Sequence, residues 1–402
     1  MSQPETSNFI YLDSAGSASN ATFCSEQNLA LEDNFANPNA IHEAGREAFA
    51  VMESARENFA KMIGAKRPSE IVWTSGATEA NNIAILGIAR ALNLDNTKVS
   101  DKTSADNKRA KRDKIIVFEI EHESSLLSAK HLNVEGFKVE LLPADKNGFA
   151  SASALEKICD AKTALVIVQH ANTEIGSIQN IADLSKIAHE NGALFHCDCV
   201  GTFGKIPVDV GALGVDSASF SGHKIGAPKG IGALYLKANT PCQSIFFGGG
   251  QEHGLRPGTQ SLALISAFAD AAQTSQKNMD ATQKLYSTLR EFICDEVAKL
   301  SGVRMTVDTS QNPQNYLNNI ISLLFANFDS KNLILEYGKR GIVVSGGPAC
   351  SSENEEPSHV LQAIGVGKKE IDGVIRVSFC AQTTIDDVKA FIQATKEILH
   401  EN

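Results

Sequence analysis

The segment Ser221–Lys224 carries the strongest indication of chemistry in this sequence. It contains a serine, a glycine, a histidine and a lysine, and it follows the strand-like run Val215–Phe220. A lysine at the end of a strand, beside small hydrogen-bond donors, suits a Schiff base with an aldehyde cofactor, because a desolvated amine near other cations loses its proton more readily. Most lysines are solvated surface charges, so this segment alone leaves an ordinary surface lysine as the alternative.

The composition indicates a globular protein whose main partner is not a nucleic acid. The chain has 402 residues, which is enough for two domains and a sizeable core, and 43% of them are hydrophobic. The net charge of -10 opposes a polyanionic partner. A small anionic ligand would therefore need a local positive site.

The amino-terminal segment 1–8 lacks the basic and apolar blocks of a signal peptide. No apolar run approaches the length of a membrane span. The eight cysteines are expected to be reduced thiols rather than a disulfide framework, because the chain is long and shows no export signal. We therefore expect a cytoplasmic protein without membrane contact.

Strands and helices alternate through the first part of the chain. Strands are predicted at Ile71–Trp73, Ile115–Ile120, Val139–Pro143, Ala164–Gln169, Ala193–Cys197, Ala218–Ser221 and Gly232–Leu236. Helices are predicted at Ile41–Ile63, Ala80–Leu92, Ser124–Leu132, Ser151–Cys159 and Ile181–Glu190. Such alternation predicts a mostly parallel sheet covered by helices, with ligands at the carboxyl ends of the strands. Polar residues follow three of these strands, namely His122, Asn172 and Asp198.

The turn between the strand Ile71–Trp73 and the helix Ala80–Leu92 is a candidate anion site. Its sequence, Thr74–Glu79, offers hydroxyl groups, and Gly76 permits close approach of a ligand. Free backbone N–H groups and the helix dipole favour negative charge at such a turn. An ordinary helix cap, with Glu79 in the first turn, explains the same residues equally well.

Asp198 ends a buried apolar strand, where a carboxylate needs a partner to offset the cost of its burial. A pyridinium N–H would be such a partner. The neighbours His196, Cys197 and Cys199 raise the alternative of a metal site. However, alternate strand residues face opposite ways, and no second ligand pair stands at a zinc-like spacing. The sequence therefore predicts no metal.

The polar stretch Asn93–Lys114 contains the basic run Lys108–Arg112, next to three aspartates. Its mixed charges and low apolar content predict a solvated surface insertion rather than a nucleic-acid patch.

A second domain is predicted after a long helical region that runs from Ser261 to about Leu300. Its predicted elements mix strands and helices, at Met305–Asp308, Ile320–Phe325, Leu333–Arg340, Ile342–Ser345, His359–Ile364, Val374–Phe379 and Ile385–His400. Between them, Cys350 lies in a loop rich in glycine and serine, before the acidic stretch Glu353–Glu356. An exposed loop thiol is a candidate nucleophile, although an incidental loop cysteine is the alternative.

These motifs together resemble those of the pyridoxal-phosphate-dependent cysteine desulfurases, the NifS/IscS-type branch of the class V aminotransferase superfamily. The matching stretches are, in family order, Asn37–His42, Thr74–Asn82, Glu121–His122, Asn172–Gly176, His196–Asp198, Ser221–Lys224, Arg256–Thr259, Ala349–Cys350 and Ile375–Ser378. Each stretch alone is a weak signal, whereas the ordered set spans nearly the whole chain and is specific.

The resemblance implies an α/β protein with the PLP-dependent transferase fold type I. A large domain, residues 15–260, would contain a mostly parallel seven-stranded sheet flanked by helices. Residues 1–14 and 261–402 would form a smaller α+β domain that carries the catalytic-cysteine loop. The resemblance also implies a homodimer.

The resemblance makes Lys224, His122 and Cys350 the catalytic residues. Lys224 would bind the aldehyde of the cofactor, pyridoxal 5'-phosphate, while His122 would stack on its ring and shuttle protons. Asp198 would pair with the pyridine nitrogen. The cofactor phosphate would be held by Gly76, Ala77, Thr78, Ser221 and His223, with Thr259 reaching it from the neighbouring subunit.

The implied reaction converts L-cysteine to L-alanine and leaves a persulfide on Cys350 for a sulfur-acceptor protein, such as an iron–sulfur scaffold or a component of a thiolation pathway. Asn172 would contact the cofactor ring substituents and the substrate. Arg376 would clamp the substrate carboxylate, a task that suits a planar bidentate donor. The long loop after Cys350 is similar to that of the IscS/NifS branch rather than the SufS branch.

Three positions depart from the family pattern. Gly201 stands where a glutamine is usual, three residues after the aspartate, and Ala381 stands near the usual place of a second arginine. The start Asp13–Ala18 also differs from the usual sequence. These departures leave open another class V activity, such as an aminotransferase or selenocysteine lyase, and a cofactor-poor scaffold relative.

Overall fold

The computed structural model of the chain describes residues 9–18, 36–98, 112–346 and 357–401. The predicted nucleophile, Cys350, lies outside these ranges. So do residues 99–111, the larger part of the predicted polar insertion.

Strands and helices alternate along the chain as the sequence predicts. In chain order the strands are β1 (Ile10–Tyr11), β2 (Ile71–Thr74), β3 (Lys114–Phe118), β4 (Lys138–Leu142), β5 (Thr163–Ile167), β6 (Leu194–Asp198), β7 (Ser217–Ser221), β8 (Gly232–Leu236), β9 (Val303–Met305), β10 (Ile320–Phe325), β11 (Ile342–Val343) and β12 (Val374–Ser378). The α-helices are α1 (Glu43–Met62), α2 (Ala77–Lys98), α3 (Glu123–His131), α4 (Ala152–Ile158), α5 (Ile181–Glu190), α6 (Val210–Leu213), α7 (Leu262–Lys277), α8 (Met279–Val297), α9 (Ser330–Lys339), α10 (His359–Ala363), α11 (Lys368–Ile371) and α12 (Ile385–Glu401).

A seven-stranded sheet with the order β2-β8-β7-β6-β5-β3-β4 forms the large domain. Strands β4, β3, β5, β6 and β7 are parallel to one another, and only β8 runs antiparallel, between β7 and β2. Strands β3 and β5 are rich in isoleucine, valine and leucine and are buried along their whole length. Such runs are typical of parallel strands covered on both faces. The predicted mostly parallel sheet flanked by helices is confirmed.

Aromatic rings pack helices α1 and α7 onto one face of this sheet. The ring of Phe59 lies 5.1 to 5.5 Å from the rings of Trp73, Phe203, Phe220 and Phe268. Tilted and edge-to-face pairs of this kind contribute about 0.5–1.5 kcal/mol each beyond their area burial. The cluster therefore fixes the end of β7, which the turn Gly222–Lys224 follows directly.

Helix α2 is longer than the sequence pattern indicates. We predicted it over Ala80–Leu92, whereas it begins at Ala77 and continues to Lys98, into the predicted polar insertion. The residues between Asn93 and Lys98 include no glycine or proline that would stop a helix. Neither this helix nor any other in the described ranges combines the length and the apolar character needed to cross a membrane.

The smaller domain is built on an antiparallel sheet with the order β12-β10-β9 and on the parallel pair β1 and β11. Strand β1 of the amino-terminal segment pairs in parallel with β11, so Ile10 and Tyr11 lie beside Ile342 and Val343. Leu12 is buried in the core of the same domain, among side chains from α8, α9 and α12.

The long helical region predicted from Ser261 is two helices, α7 and α8, which meet at Asn278. Phe268 of α7 is buried in the core of the large domain, while Tyr286 of α8 is buried in the core of the small one. The apolar periodicity continues across both helices, so it did not indicate the break. We propose that the domain boundary lies near Asn278 rather than after residue 260.

Candidate active site

A cavity of about 440 Å³ opens at the carboxyl ends of β6 and β7. Nine of the predicted site residues line it, namely Gly76, Ala77, Thr78, His122, Asp198, Ser221, His223, Lys224 and Arg376. They come from both domains and from elements far apart in sequence. The fold therefore brings these predicted residues together at one edge of the sheet, where an α/β sheet is expected to bind its ligand.

Lys224 lies in a single 3-10 turn, Gly222–Lys224, directly after β7. Its Nζ donates hydrogen bonds to the carbonyl oxygens of Ala15 and Gly16, the latter at 2.8 Å. The amino-terminal segment thus orients the amine at the cavity wall. Lys205 is buried close enough to Lys224 for their charges to interact, and burial together with the charge of Lys224 lowers the pKa of Lys205 to about 7.

The start of helix α2 forms one end of the cavity. The backbone N–H groups of Gly76, Ala77 and Thr78 lie at the first turn of the helix, where no preceding helical carbonyl can accept a hydrogen bond from them. A β-carbon added to Gly76 would meet no atom within 4 Å, so the space in front of these groups is open. Because the helix dipole also favours negative charge there, this end suits a phosphate.

Glu79 is used within the same turn, as the alternative helix-cap interpretation predicted. Its carboxylate accepts hydrogen bonds from the backbone N–H of Ser75 at 2.5 Å and from Nε of Arg256 at 2.9 Å. Although burial opposes it, these bonds from Ser75 and Arg256 hold the pKa of Glu79 below its ordinary value. Glu79 accepts the N–H of Ser75, while the N–H groups of Gly76, Ala77 and Thr78 remain for an anion. The helix-cap interpretation and the anion-site interpretation are therefore compatible.

His223 lines the same cavity and has an uncharged ring at neutral pH. Burial and the charges of Lys224 and Lys229 lower the pKa of His223 to about 4. Its Nδ1 lies 3.2 Å from Oγ of Ser17. At neutral pH this side chain offers a hydrogen bond, while the positive charge comes from the neighbouring lysines.

Asp198 is buried at the end of β6 and accepts two hydrogen bonds. Its Oδ1 accepts from the backbone N–H of Val200 at 2.9 Å, and its Oδ2 accepts from Nδ2 of Asn81 at 2.9 Å. A carboxylate has about four lone-pair directions. The group is therefore able to accept a further bond from a cationic N–H in the cavity.

His122 is the N-cap of α3, and its Nδ1 accepts a hydrogen bond from the backbone N–H of Ser124 at 3.1 Å. The hydroxyl of Ser124 lies 2.8 Å from the same nitrogen. Since Nδ1 is an acceptor, the neutral ring carries its proton on Nε2. His122 therefore presents a defined tautomer.

Two buried groups near Asp198 were not predicted as parts of the site. His196 is completely buried, and burial lowers its pKa to about 3. Glu121 is also completely buried, and burial together with the charge of Asp198 raises its pKa well above the ordinary value. From the sequence, His196 is considered as a metal ligand and as part of a family stretch, without a role of its own, although strand alternation places it on the same face of β6 as Asp198. That alternation was the signal that could have found it.

Cys197 and Cys199 face away from Asp198 and are 3.7 Å apart between their sulfur atoms. Both thiols are fully buried. Within the described ranges, no three His, Cys, Asp or Glu side chains are grouped as a metal site requires.

Arg376 lies on the cavity wall and is 2% exposed. Its Nη2 donates to Oδ1 of Asp13 at 2.7 Å, and its Nη1 donates to the carbonyl of Thr173 at 3.1 Å. Its Nε is buried and has no hydrogen-bond partner among the described residues. The guanidinium therefore keeps donor capacity for an anion in the cavity.

Asn172 and Thr259 do not line the cavity in this single chain. Oδ1 of Asn172 accepts from the backbone N–H groups of Glu174 and Ile175, and its Nδ2 donates to the carbonyl of Ile120. These bonds fix the turn after β5. The contacts expected of Asn172 and Thr259 with a cofactor stay predictions.

Gly201 lies on the cavity wall, and a β-carbon there would lie 2.6 Å from the carbonyl oxygen of Ala171. The same atom would lie 3.3 Å from Cγ2 of Thr173. A side chain at this position requires the backbone after β5 to move. The departure from the family glutamine is therefore accommodated by the packing of this chain.

Comparison with known proteins gives a consistent picture. The family described as aminotransferase class-V matches residues 10–391. A cysteine desulfurase IscS of Dictyoglomus turgidum is 38% identical over 372 residues, which cover 92% of this chain and 89% of that protein. Cysteine desulfurase IscS 1 of Archaeoglobus fulgidus is 34% identical over 370 residues, which cover 92% and 91%.

Solved structures share the fold over nearly the whole chain. A NifS-like protein superimposes with a TM-score of 0.85 and 33% identity, covering 98% of this chain and 100% of that chain. A structure of SspA in complex with cysteine superimposes with a TM-score of 0.75 and 31% identity, covering 92% and 98%.

Proposed function

The chain belongs to the aminotransferase class V family, and we propose that the cavity around Lys224 is the active site at which it removes sulfur from L-cysteine. The protein is a pyridoxal-phosphate-dependent cysteine desulfurase, the activity named for its IscS relatives. The observation that carries the site assignment is the meeting of an amine, a carboxylate, an imidazole and a guanidinium in one cavity. These groups belong to Lys224, Asp198, His122 and Arg376.

The described residues fit pyridoxal phosphate. The open turn at Gly76 suits its phosphate, the remaining lone pairs of Asp198 suit its pyridinium N–H, and the amine of Lys224 suits its aldehyde. When bound, the cofactor withdraws electrons from the substrate and stabilises the charge that develops as bonds to the substrate break.

Each polar side chain of the cavity has a distinct task in this proposal. Asp198 holds a proton at the pyridine nitrogen by accepting a hydrogen bond from it. Arg376 binds the substrate carboxylate and so orients the α-carbon toward Lys224. Nζ of Lys224 accepts and returns a proton at that carbon, and Nε2 of His122 supplies a proton to the substrate.

We assign sulfur acceptance to Cys350, which lies outside the described residues. Its thiolate attacks the substrate sulfur, so an S–S bond forms as the C–S bond breaks. The electron pair of the C–S bond remains on the carbon skeleton, which takes up a proton and leaves as alanine. The persulfide on Cys350 then passes its outer sulfur to the thiol of an acceptor protein, such as an iron–sulfur scaffold.

A homodimer completes the site in this proposal, because Thr259 would reach the phosphate of the neighbouring subunit. Within the chain, Glu252 is buried at the base of the loop that carries Thr259 and accepts hydrogen bonds from Arg56 and Gln260. A reducing compartment, such as the cytoplasm, would keep the thiol of Cys350 nucleophilic.

The test compares alanine release and persulfide formation in the wild type, in Cys350→Ser and in the control Cys294→Ser. Cys350→Ser should still change its absorption when cysteine is added, because the cavity residues are intact. It should form almost no alanine, since a hydroxyl is a far weaker nucleophile toward sulfur. Mass spectrometry should find the added sulfur on the peptide that contains Cys350, in the wild type and in Cys294→Ser alike.

Three outcomes would contradict the proposal. Alanine formation by Cys350→Ser at the wild-type rate would remove the role of this thiol. Added sulfur on Cys197 or Cys199 would move the acceptor to the buried thiols at the end of strand β6. A wild-type protein that binds no pyridoxal phosphate at all would contradict the assignment of the cavity.

A further inference from the structure

One buried amide, that of Asn81, joins the carboxylate and the imidazole of the active site. We propose that Asn81 is a positioning residue that fixes the hydrogen-bonding state of Asp198 and the tautomer of His122 together. The inference rests on the proposed roles of Asp198 and His122. Asn81 itself does not line the cavity and is completely buried near the start of helix α2.

Three hydrogen bonds engage both the NH2 group and the oxygen of the Asn81 amide. Its Nδ2 donates to Oδ2 of Asp198 at 2.9 Å and to Oγ of Ser124 at 2.8 Å. Its Oδ1 lies 3.0 Å from Nε2 of His196. The partners come from α3 and β6, so the amide is a junction between elements that are distant in sequence.

The groups on either side of the Asn81 amide determine which atoms donate and which accept in these hydrogen bonds. The carboxylate of Asp198 only accepts, so the NH2 group of Asn81 faces it and the amide oxygen faces His196. Nε2 of His196 must then carry a proton. Burial keeps this ring neutral, with a pKa of about 3, and its Nδ1 accepts from the hydroxyl of Ser217 at 2.8 Å. His196 therefore prevents the amide of Asn81 from flipping.

The same amide determines what Ser124 does. Because Oγ of Ser124 accepts an N–H of Asn81, its own proton is available for Nδ1 of His122, 2.8 Å away. The backbone N–H of Ser124 points to the same nitrogen. Two donors on Nδ1 place the proton of the neutral ring on Nε2. A flipped or absent amide would leave the hydroxyl free to donate elsewhere.

The test requires knowledge of the other titratable groups around this junction. On the buried side, Glu121, Cys197 and Cys199 interact with the charge of Asp198, although both thiols point away from the carboxylate, and His196 contacts the amide. On the cavity side, His223 and Lys224 line the same cavity as Asp198. None of them is changed in the variants below. A shift that appears only when the amide changes is therefore attributable to Asn81.

The experiment uses nitrogen-15 NMR of the holoprotein, reconstituted with cofactor labelled at the pyridine nitrogen, and of imidazole-labelled protein. N81D keeps the size of the side chain but replaces both donors by a carboxyl group beside Asp198. We expect the pyridine signal of N81D to move toward the unprotonated form. We also expect the pH midpoint of the cofactor absorption to move by about one unit or more, since paired carboxylates share a proton.

The matched control is N82A, compared with N81A. Asn82 is the next residue of α2, and its amide donates to the carbonyl of Thr78, in its own helix, at 2.8 Å. N82A should keep the wild-type pyridine signal and pH midpoint. N81A should lower kcat for cysteine by about tenfold or more, by analogy with the loss of groups that orient metal ligands. Its KM should change little, because Arg376 remains.

S124A removes the hydroxyl that donates to Nδ1 of His122 and leaves Asp198 unchanged. It should alter the ring-nitrogen signals of His122 and leave the pyridine signal unchanged. The wild type supplies a measurement that needs no variant to fold. If its His122 carries the proton on Nδ1, in the cofactor-free or the loaded protein, the proposal is overturned. It is equally overturned if folded N81D retains the wild-type pyridine signal and pH midpoint.

The outcome is distinguishable from a failure of the proposed function. If the wild type binds no cofactor, the function fails, while the tautomer of His122 in the free protein still decides the role of Asn81 and Ser124. If cysteine turnover is confirmed but N81D and N82A behave alike, the function stands and the positioning role is rejected.

Discussion

Glu174 should make the protein less stable as the pH rises toward neutrality. Its side chain is 3% exposed, Oε2 accepts a hydrogen bond from Ser358 at 2.9 Å, and Oε1 has no partner in the described part of the chain. Burial raises the pKa of Glu174 to about 7, against the opposing effects of Ser358 and Arg376. The folded protein therefore holds this proton more tightly than the unfolded chain does.

The magnitude follows from the two pKa values. One pH unit between them corresponds to about 1.4 kcal/mol, so the rise from 4.5 to about 7 amounts to about 3 kcal/mol in all. The raised pKa belongs to the folded state. Its contribution to stability is thus complete below pH 4.5 and is lost as the pH rises through about 7. Between pH 5 and pH 8 the loss should be about 2.5 kcal/mol.

The assay compares the wild type with Glu174→Gln, which keeps an acceptor for Ser358 but does not titrate. Urea unfolding can be followed through the single tryptophan, Trp73, in the core of the large domain. The free energy of unfolding of Glu174→Gln, relative to the wild type, should rise by about 2.5 kcal/mol from pH 5 to pH 8. The exposed control Glu190→Gln should show no such rise. A Glu174→Gln difference that stays constant within about 0.5 kcal/mol would refute the reasoning.

Three further predictions concern the stability of two substituted proteins and the activity of a deletion. Glu252→Gln leaves the buried guanidinium of Arg56 without its bidentate partner and should lower the free energy of unfolding by about 3–5 kcal/mol, measured in urea. Glu53 is the half-buried partner on the other side of Arg56, and Glu53→Gln should lower the free energy of unfolding by only about 0–1 kcal/mol. Equal effects of the two substitutions would contradict the argument. Gly201→Ala should cost about 1–3 kcal/mol, because its β-carbon would lie 2.6 Å from a backbone oxygen, and an unchanged urea midpoint would count against that contact. Deletion of residues 99–111, which lie outside the described ranges, should leave cysteine turnover near the wild-type rate; loss of folding would mean that this segment packs.

The sequence was most informative where local rules determine structure. The apolar run Ile320–Phe325 was predicted with the bounds that the structure has, because turn residues flank it on both sides. Polar residues at strand ends were also predictable, since parallel strands place their carboxyl ends at one edge of the sheet. Asp198 and Lys224 were found in this way, and both line the cavity.

Contacts between distant elements could not be read from the sequence. Asn81 and Asp198 are separated by 117 positions, and Glu174 and Ser358 by 184. No local pattern tells which residue of a helix meets which residue of a strand, because tertiary packing sets that register. Asn81 therefore appeared only as one letter of a family motif. The break at Asn278 was missed for a related reason, since both flanking helices keep an apolar stripe.

The charge distribution around Asp198 has a physical consequence for catalysis. Burial lowers the pKa of His196 to about 3, so this ring is neutral at neutral pH, and burial together with the charge of Asp198 raises the pKa of Glu121, which favours its protonated form. The hydrogen bonds that Asp198 accepts come from neutral N–H groups. No buried cation on that side competes for its negative charge among the described contacts. A protonated pyridine nitrogen in the cavity would therefore meet the full attraction of the carboxylate in a surrounding of low dielectric, where a fixed charge acts most strongly. The family glutamine missing at Gly201 lies outside these contacts, so this arrangement does not depend on it.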